Sequence, residues 1–125
     1  MTTLTKEQFF SKAELPPPER LDIEDWGTVF VRILPESLRA RRQAEAYDGN
    51  GKFKVSVIER SVRQRIIDQV VTEAGEPMFT QADYDKLGEL DPFILDTIAG
   101  AIQRVNEEHE KNVTGGSNDT KSTSE

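Results

Sequence analysis

The sequence predicts an α+β fold: an N-terminal β-hairpin packed on a bundle of about four short-to-medium helices, with disordered N- and C-terminal tails. Three observations predict this class. Apolar and polar residues alternate between Leu21 and Ile33, as in paired strands. Apolar residues recur at spacings of three and four from Val55 onward, as on one helix face. The two ends carry a proline run and a Gly-, Ser- and Thr-rich run, neither of which builds a core.

Residues 1–18 are predicted to form a mobile arm with a Pro-rich link. The segment "ELPPPER" holds three consecutive prolines, which cannot continue a helix and favour an extended polyproline conformation. Phe9 and Phe10 form an apolar contact point on this arm. They either bind another protein or belong to a short helix that folds back on the domain.

Residues 19–107 are predicted to form the single folded domain, and they begin with the hairpin "RLDIEDWGTVFVRIL". Asp25-Trp26-Gly27 supplies the turn between its two alternating runs. An isolated hairpin is marginal in water, so it must pack on helices. Trp26 either locks the hairpin into the core or contacts a partner.

The middle of the chain predicts two helices. Pro35 fits the first turn of a helix that runs to about Tyr47, where "DGNG" ends it. A longer helix is predicted from Phe53 through residue 71, although the β-branched residues at 66–71 leave a strand as the alternative. Gly75 is placed at the C-terminal cap of that helix, with Pro77 after it.

The acidic stretch "VVTEAGEPMFTQADYDKLGELDPF" predicts helix caps rather than a metal site. Thr80 and Asp83 have the spacing of a capping box that opens a short helix ending near Gly88. Asp91 precedes Pro92 as the N-cap of the next helix. An EF-hand loop starting at Asp83 would need Glu at its twelfth position, where this chain has an isoleucine.

The last helix is expected to bury one apolar face and to carry Leu95 at its edge. The residues of that face are Ile94, Ile98, Ala101, Ile102 and Val105. From residue 108 the sequence is polar, so residues 108–125 are predicted to form a disordered tail.

Composition argues against catalysis. The chain has no cysteine, and its single histidine, His109, lies in the polar C-terminal stretch. "DGNGK" lacks the Gly-Lys-Ser/Thr ending of a phosphate-binding loop. We therefore predict no catalytic residue, no metal ligand and no cofactor. No apolar run reaches the length of a membrane span or a signal peptide, so a cytoplasmic protein with no membrane partner is expected.

Charge divides the chain unevenly. Residues 32–65 carry nine bases and four acids, whereas residues 66–125 carry four bases and thirteen acids. The candidates for protein contacts on these two parts are Arg39, Arg41, Arg42, Asp83 and Asp85. The arginines suit a solvated helix surface with ion pairs, docking on the acidic part of a neighbouring copy, or nucleic-acid binding.

The order of these features resembles the tail assembly chaperones of long-tailed, siphovirus-type bacteriophages. "LTKEQFF", a Pro-rich link and "DWGTVFVRIL" are similar to the opening of that family, in which a W-G-x-V-x-V-R segment precedes a charged helix. "TEAGEPMFTQADYDKLGELDP" is similar to its D-x-x-G-x-x-x-F-T-x-x-D segment, with Thr72-Glu73 in place of the usual acidic start. The resemblance covers residues 4–108, and its weight lies in the order and spacing of the motifs.

The resemblance implies a non-enzymatic assembly factor of the host bacterial cytoplasm that is absent from the mature virion. Such late proteins coat the tape measure protein, keep it soluble and recruit the major tail protein, the latter through a longer form made by programmed frameshift. This chain is similar to the short form. Its uneven charge further predicts head-to-tail self-association into a ring or filament. An accessory nucleic-acid-binding phage protein that uses the Arg32–Arg65 segment, and a small hydrolase, are the rival interpretations.

Overall fold

The computed structural model describes residues 3–121, apart from the side chains of residues 58, 59 and 115–121. The predicted α+β class with an N-terminal hairpin is confirmed. The elements, in chain order, are α1 (Lys6–Lys12), β1 (Glu19–Ile23), β2 (Gly27–Val31), α2 (Glu36–Glu45), α3 (Ser56–Gln69), β3 (Val70–Val71), a 3-10 turn (Gln81–Asp83), α4 (Tyr84–Leu87) and α5 (Pro92–Lys121).

The hairpin forms where the alternating pattern predicts it. β1 and β2 pair antiparallel, with Glu19 opposite Val31 at one end and Ile23 opposite Gly27 at the other. Asp25 in the turn adopts a φ of 63°, a left-handed conformation that Asp tolerates better than most residues. The Trp26 N–H donates to the Ile23 carbonyl oxygen at 2.9 Å and closes the turn.

The structure corrects the interpretation of residues 66–71 as continuous helix. α3 ends at Gln69, and Val70 and Val71 form β3, which pairs antiparallel with Val31 and Phe30. The β-branched valines fit a strand, and the edge of β2 offers them backbone partners that no local pattern reveals. This pairing builds a three-stranded sheet in the order β1-β2-β3.

Gly75 is likewise not a helix cap. The chain turns over residues 72–76, where the Thr72 N–H donates to the Glu76 carbonyl oxygen at 2.8 Å and Val71 forms a bridge to Pro77. Gly75 adopts a φ of 91°, which favours glycine. A turn rather than a helix end therefore carries the chain back to Met78 and Phe79.

Both predicted helix starts after this turn are confirmed. The Asp83 carboxylate accepts the Thr80 N–H at 2.8 Å, and Thr80 Oγ1 accepts the Ala82 N–H at 3.3 Å. The Asp91 carboxylate accepts the Phe93 N–H at 2.9 Å at the start of α5. These caps satisfy backbone donors that the first helical turns leave free.

The core lies where α3 and α5 pack together beneath the sheet. Its buried residues are Val31, Ile66, Ile67, Val70, Leu87, Leu95, Ile98, Ile102 and Val105. On α5 the structure exchanges two predicted positions: Leu95 is buried, whereas Ile94 lies at the exposed edge. Ala101, Ile102 and Val105 are buried as predicted.

Both ends of the chain are more helical than the predicted mobile arm and disordered tail, and the short helix given as the alternative for Phe9 and Phe10 is present. The arm contains α1, which the capping box of Thr5 and Gln8 begins, and none of its residues is buried. α5 continues beyond residue 108 to Lys121 instead of giving way to a coil there. The run from 106 to 114 contains no proline and no glycine, so nothing in it stops the helix.

Candidate protein-docking groove

An apolar groove of about 460 Å³ opens between the hairpin turn, the 72–79 turn and the α4–α5 connection. All but one of its lining residues are apolar. They are Trp26, Val29, Ile66, Val70, Met78, Phe79, Leu87, Leu90, Asp91, Ile94, Leu95 and Ile98. We call this feature the apolar groove.

The floor of the apolar groove is the hydrophobic core, and its rim is exposed. Ile66, Leu95 and neighbouring core side chains form the floor. On the rim, Trp26 is 54% exposed, Met78 47% and Leu90 51%. Large apolar side chains that are half exposed beside a groove lined by core residues are typical of a binding surface rather than of a protein interior.

Three local features set the rim. The left-handed turn at Asp25 turns Trp26 out of the hairpin. The bridge between Val71 and Pro77 fixes the segment that leads to Met78, whose N–H donates to the Val70 carbonyl oxygen at 3.3 Å. Leu90 lies in the short connection that ends at the Asp91 cap.

The chemistry of the apolar groove suits apolar side chains. Its one ionisable lining residue, Asp91, uses its carboxylate to cap α5 through the Phe93 N–H. No group of three His, Asp or Glu side chains that could hold a metal ion is found among the described residues. Contact with a large apolar side chain from another protein is what this surface offers.

One rim residue of the apolar groove, Trp26, is a candidate contact residue from the sequence. Its exposed rim position agrees with the contact interpretation rather than with a core tryptophan. The exposure of Met78, Leu90 and Ile94 is not predicted by the sequence pattern, which does not show which apolar residues the tertiary packing leaves at the surface. No single sequence motif predicts the groove as a whole. The apolar residues Trp26 and Met78, in or beside two turns, indicate only parts of its rim.

The candidate acids do not come together as a chemical cluster. Asp83 uses its carboxylate in the capping box with Thr80. Asp85 is exposed and makes no hydrogen bond or ion pair among the described residues. Both remain on an acidic face near the apolar groove, since residues 83–96 carry five acids and one base.

The candidate arginines separate into two kinds. Arg39 and Arg41 are exposed and make no side-chain contact within the described part of the chain. Arg42 instead makes a bidentate ion pair with Asp68, at 2.6 Å from Nε and 2.9 Å from Nη2, and also contacts Glu45 at 3.1 Å. The hydrogen bond to Asp68 raises the pKa of Arg42 above its ordinary value, while partial burial acts in the opposite sense.

Two more residues of the basic segment also have structural partners. Arg32 Nε donates to the Asp68 carbonyl oxygen at 2.8 Å. The Arg63 guanidinium lies over the Tyr84 ring, 4.4 Å from its centroid. The predicted basic surface is thus partly an internal network, and its exposed arginines among the described residues are Arg39, Arg41 and Arg60.

Buried amides extend this network between helices. Gln69 Nε2 donates to the Arg32 carbonyl oxygen at 2.9 Å and to Asn106 Oδ1 at 2.7 Å. Asn106 Nδ2 returns a hydrogen bond to Gln69 Oε1 at 3.2 Å. These contacts join α3 and α5 to the residue that follows β2.

The aromatic pair on the arm is exposed. Phe9 is 60% and Phe10 65% exposed, and their rings meet edge to face with centroids 6.3 Å apart. α1 therefore presents a second apolar surface, separate from the groove.

None of the described helices is long and apolar enough to cross a bilayer. Comparisons with protein-family models, with curated proteins and with solved structures give no match to this chain. The resemblance to tail assembly chaperones accordingly rests on the sequence motifs alone, and the apolar groove has to be interpreted from its own geometry.

Proposed function

We propose that this chain is a non-enzymatic tail assembly chaperone that coats and solubilises a tape measure protein in the host cytoplasm and helps recruit tail tube subunits. The observation that supports it best is the apolar groove, whose rim exposes Trp26, Met78 and Leu90 above an accessible core. The order of sequence motifs supplies the identity of the client.

A groove of this kind suits a helical client. Amphipathic helices bind by placing apolar side chains, three or four residues apart, into such a groove. Fully burying one large apolar side chain contributes about 1.5–3 kcal/mol, and the rim residues are already half buried, so each adds roughly 1 kcal/mol. A single contact is therefore weak and reversible.

Weak contacts suit a coat that must later leave. A long client offers many such segments, so many copies can coat it although binding at any one groove is weak. As the tail tube polymerises around the client, copies can then be displaced one at a time. Recruitment of the major tail protein belongs, in this proposal, to a longer frameshifted form.

Co-expression with the tape measure protein of the same genome tests the proposal. We expect the tape measure protein to be soluble with the wild-type chain and to precipitate with Trp26→Ala. Phe53→Ala is the matched control, because Phe53 is a half-exposed aromatic residue outside the groove that packs on Tyr47. Equal recovery of soluble client with both variants, or with no chaperone at all, would refute the proposal.

The nucleic-acid alternative has no specific structural support, because Arg32, Arg42 and Arg63 have protein partners. It predicts salt-sensitive retention on nucleic acid that Arg39→Ala and Arg41→Ala together abolish.

A further inference from the structure

Helix α1 carries two exposed phenylalanines, and none of its side chains is buried against the described part of the chain. Its capping box, with the Gln8 N–H donating to Thr5 Oγ1 at 3.1 Å, gives it a defined start independent of the domain. No residue of α1 is buried, and Phe9 and Phe10 face water. Two adjacent exposed phenylalanines on a capped helix are typical of a docking segment.

We propose that α1 of one copy docks in the apolar groove of a second copy, with Phe9 and Phe10 packing between Trp26 and Leu90. The two surfaces complement each other. The groove has an apolar floor and a half-exposed rim. α1 supplies two exposed phenylalanine side chains that can pack against these apolar surfaces.

The link between α1 and the domain favours a neighbouring copy over the chain's own groove. Pro16–Pro18 form a stiff segment, and no glycine between Lys12 and Arg20 offers a reversal. The arm joins β1 at Glu19, the end of the hairpin opposite to the turn that carries Trp26. Pro18 also packs near Gly75, since a Cβ added there would lie 3.8 Å from Pro18 Cγ, and this contact anchors the exit of the arm.

Charge also favours the contact. Lys6 and Lys12 flank the phenylalanine pair at the two ends of α1. The groove is lined by Asp91, the exposed Glu89 lies on the connection beside it, and the exposed Asp85 lies on α4. α1 carries a net charge of +1, from Lys6 and Lys12 against Glu7, and it meets a groove mouth that holds Asp91 and Glu89, which steers the encounter and makes it sensitive to salt.

The geometry determines the kind of assembly. Because α1 and the apolar groove are different surfaces, each copy can give one arm and receive another, which builds a ring or an open filament. A helical client that enters the groove competes with α1. The arm thus covers the groove until a client displaces it.

The experiment uses two variants that alter opposite sides of the contact. Phe9→Ser/Phe10→Ser is the arm variant, and Met78→Glu/Leu90→Glu is the groove variant; both change exposed side chains and keep Trp26, the only tryptophan. Light scattering after size exclusion measures mass at several protein concentrations. No tape measure protein is present, so failure here is distinct from failure of the proposed function.

We expect the wild-type mass to rise with concentration, each variant alone to stay monomeric, and their equimolar mixture to form a dimer that grows no further. Trp26 emission should shift to the blue as the wild type assembles and should not shift in the arm variant. Assembly of the arm variant as strong as that of the wild type would overturn the proposal.

A wild type that stays monomeric at every concentration would also overturn the proposal. If the arm variant then showed a red-shifted Trp26 emission, the occupant would be the chain's own arm. Because α1 has no buried residue, the arm variant tests the inference even if the groove variant fails to fold.

Discussion

The ion pair between Arg42 and Asp68 gives the sharpest prediction about stability. The Asp68 side chain is only 7% exposed and that of Arg42 26%, and the two share two hydrogen bonds. Arg42→Met keeps the aliphatic stem but removes the guanidinium. Among the described residues, the Asp68 carboxylate then keeps Gln64 Nε2, at 3.0 Å, as a side-chain donor.

The magnitude follows from burial. Removing one partner of a fully buried pair costs about 3–5 kcal/mol. Arg42 is a quarter exposed and Gln64 still satisfies one oxygen, so we expect Arg42→Met to lower the free energy of unfolding by about 2–3 kcal/mol. At about 4 °C per kcal/mol, that corresponds to a decrease in Tm of about 8–12 °C.

Arg41→Met is the matched control, because Arg41 lies on the same helix, is exposed and has no described partner. It should change the free energy of unfolding by no more than about 0.5 kcal/mol. Urea unfolding followed by circular dichroism measures both variants, with an unchanged m-value as the check on two-state behaviour. Equal costs for the two variants would show that the pair does not stabilise the fold.

Three further predictions concern the core, a cap and a carboxylate. Ile102→Ala should cost about 2–5 kcal/mol because Ile102 is fully buried, whereas Phe93→Ala, at an exposed site, should cost less than about 0.5 kcal/mol in the same urea assay. Asp91→Ala should cost about 1 kcal/mol through loss of the cap on α5, and Asp91→Asn much less. The hydrogen bond from Thr28 and then that from Arg20 lower the pKa of Asp22, so the stability that Asp22 contributes is present above its ordinary pKa of 3.8 and is lost as the pH falls through the lowered value. Thr28→Val should raise the pKa of Asp22 towards the ordinary value in an NMR titration; an unchanged pKa would contradict this cause.

The parts of the fold that depend on neighbouring residues could be predicted. The hairpin turn at Asp25, the capping box at Thr80 and the start of α5 at Asp91 are each specified within a few residues. The arm helix has the same kind of signal, Thr5 followed by Gln8 three residues later. This capping box is a local signal for the short helix that carries Phe9 and Phe10.

The parts that depend on distant partners could not be predicted. Val70 and Val71 form a strand because β2 presents a free edge to them. The choice between Leu95 and Ile94 for the core is set by the rotation of α5 against α3. The helical pattern allows both residues on one apolar face, and only packing decides between them.

The candidate site shows the same division. Trp26 is exposed because it lies in a local turn, and the sequence predicts a partner contact as one of the two roles of this residue. The bidentate bond between Arg42 and Asp68, 26 residues apart, changes a candidate contact residue into a structural one. The apolar groove exists only when three separate loops meet, so no segment of the sequence contains it.

The most direct test of the central claim is a titration of the arm variant, whose groove is free, with a helical peptide from the tape measure protein, followed by Trp26 emission. If the client binds in the apolar groove, we expect a saturable blue shift, because the client excludes water from the groove around the only tryptophan. A peptide with its apolar positions changed to serine should give no shift. Binding that leaves Trp26 emission unchanged, or no binding at all, would contradict the assignment of the apolar groove as the client site.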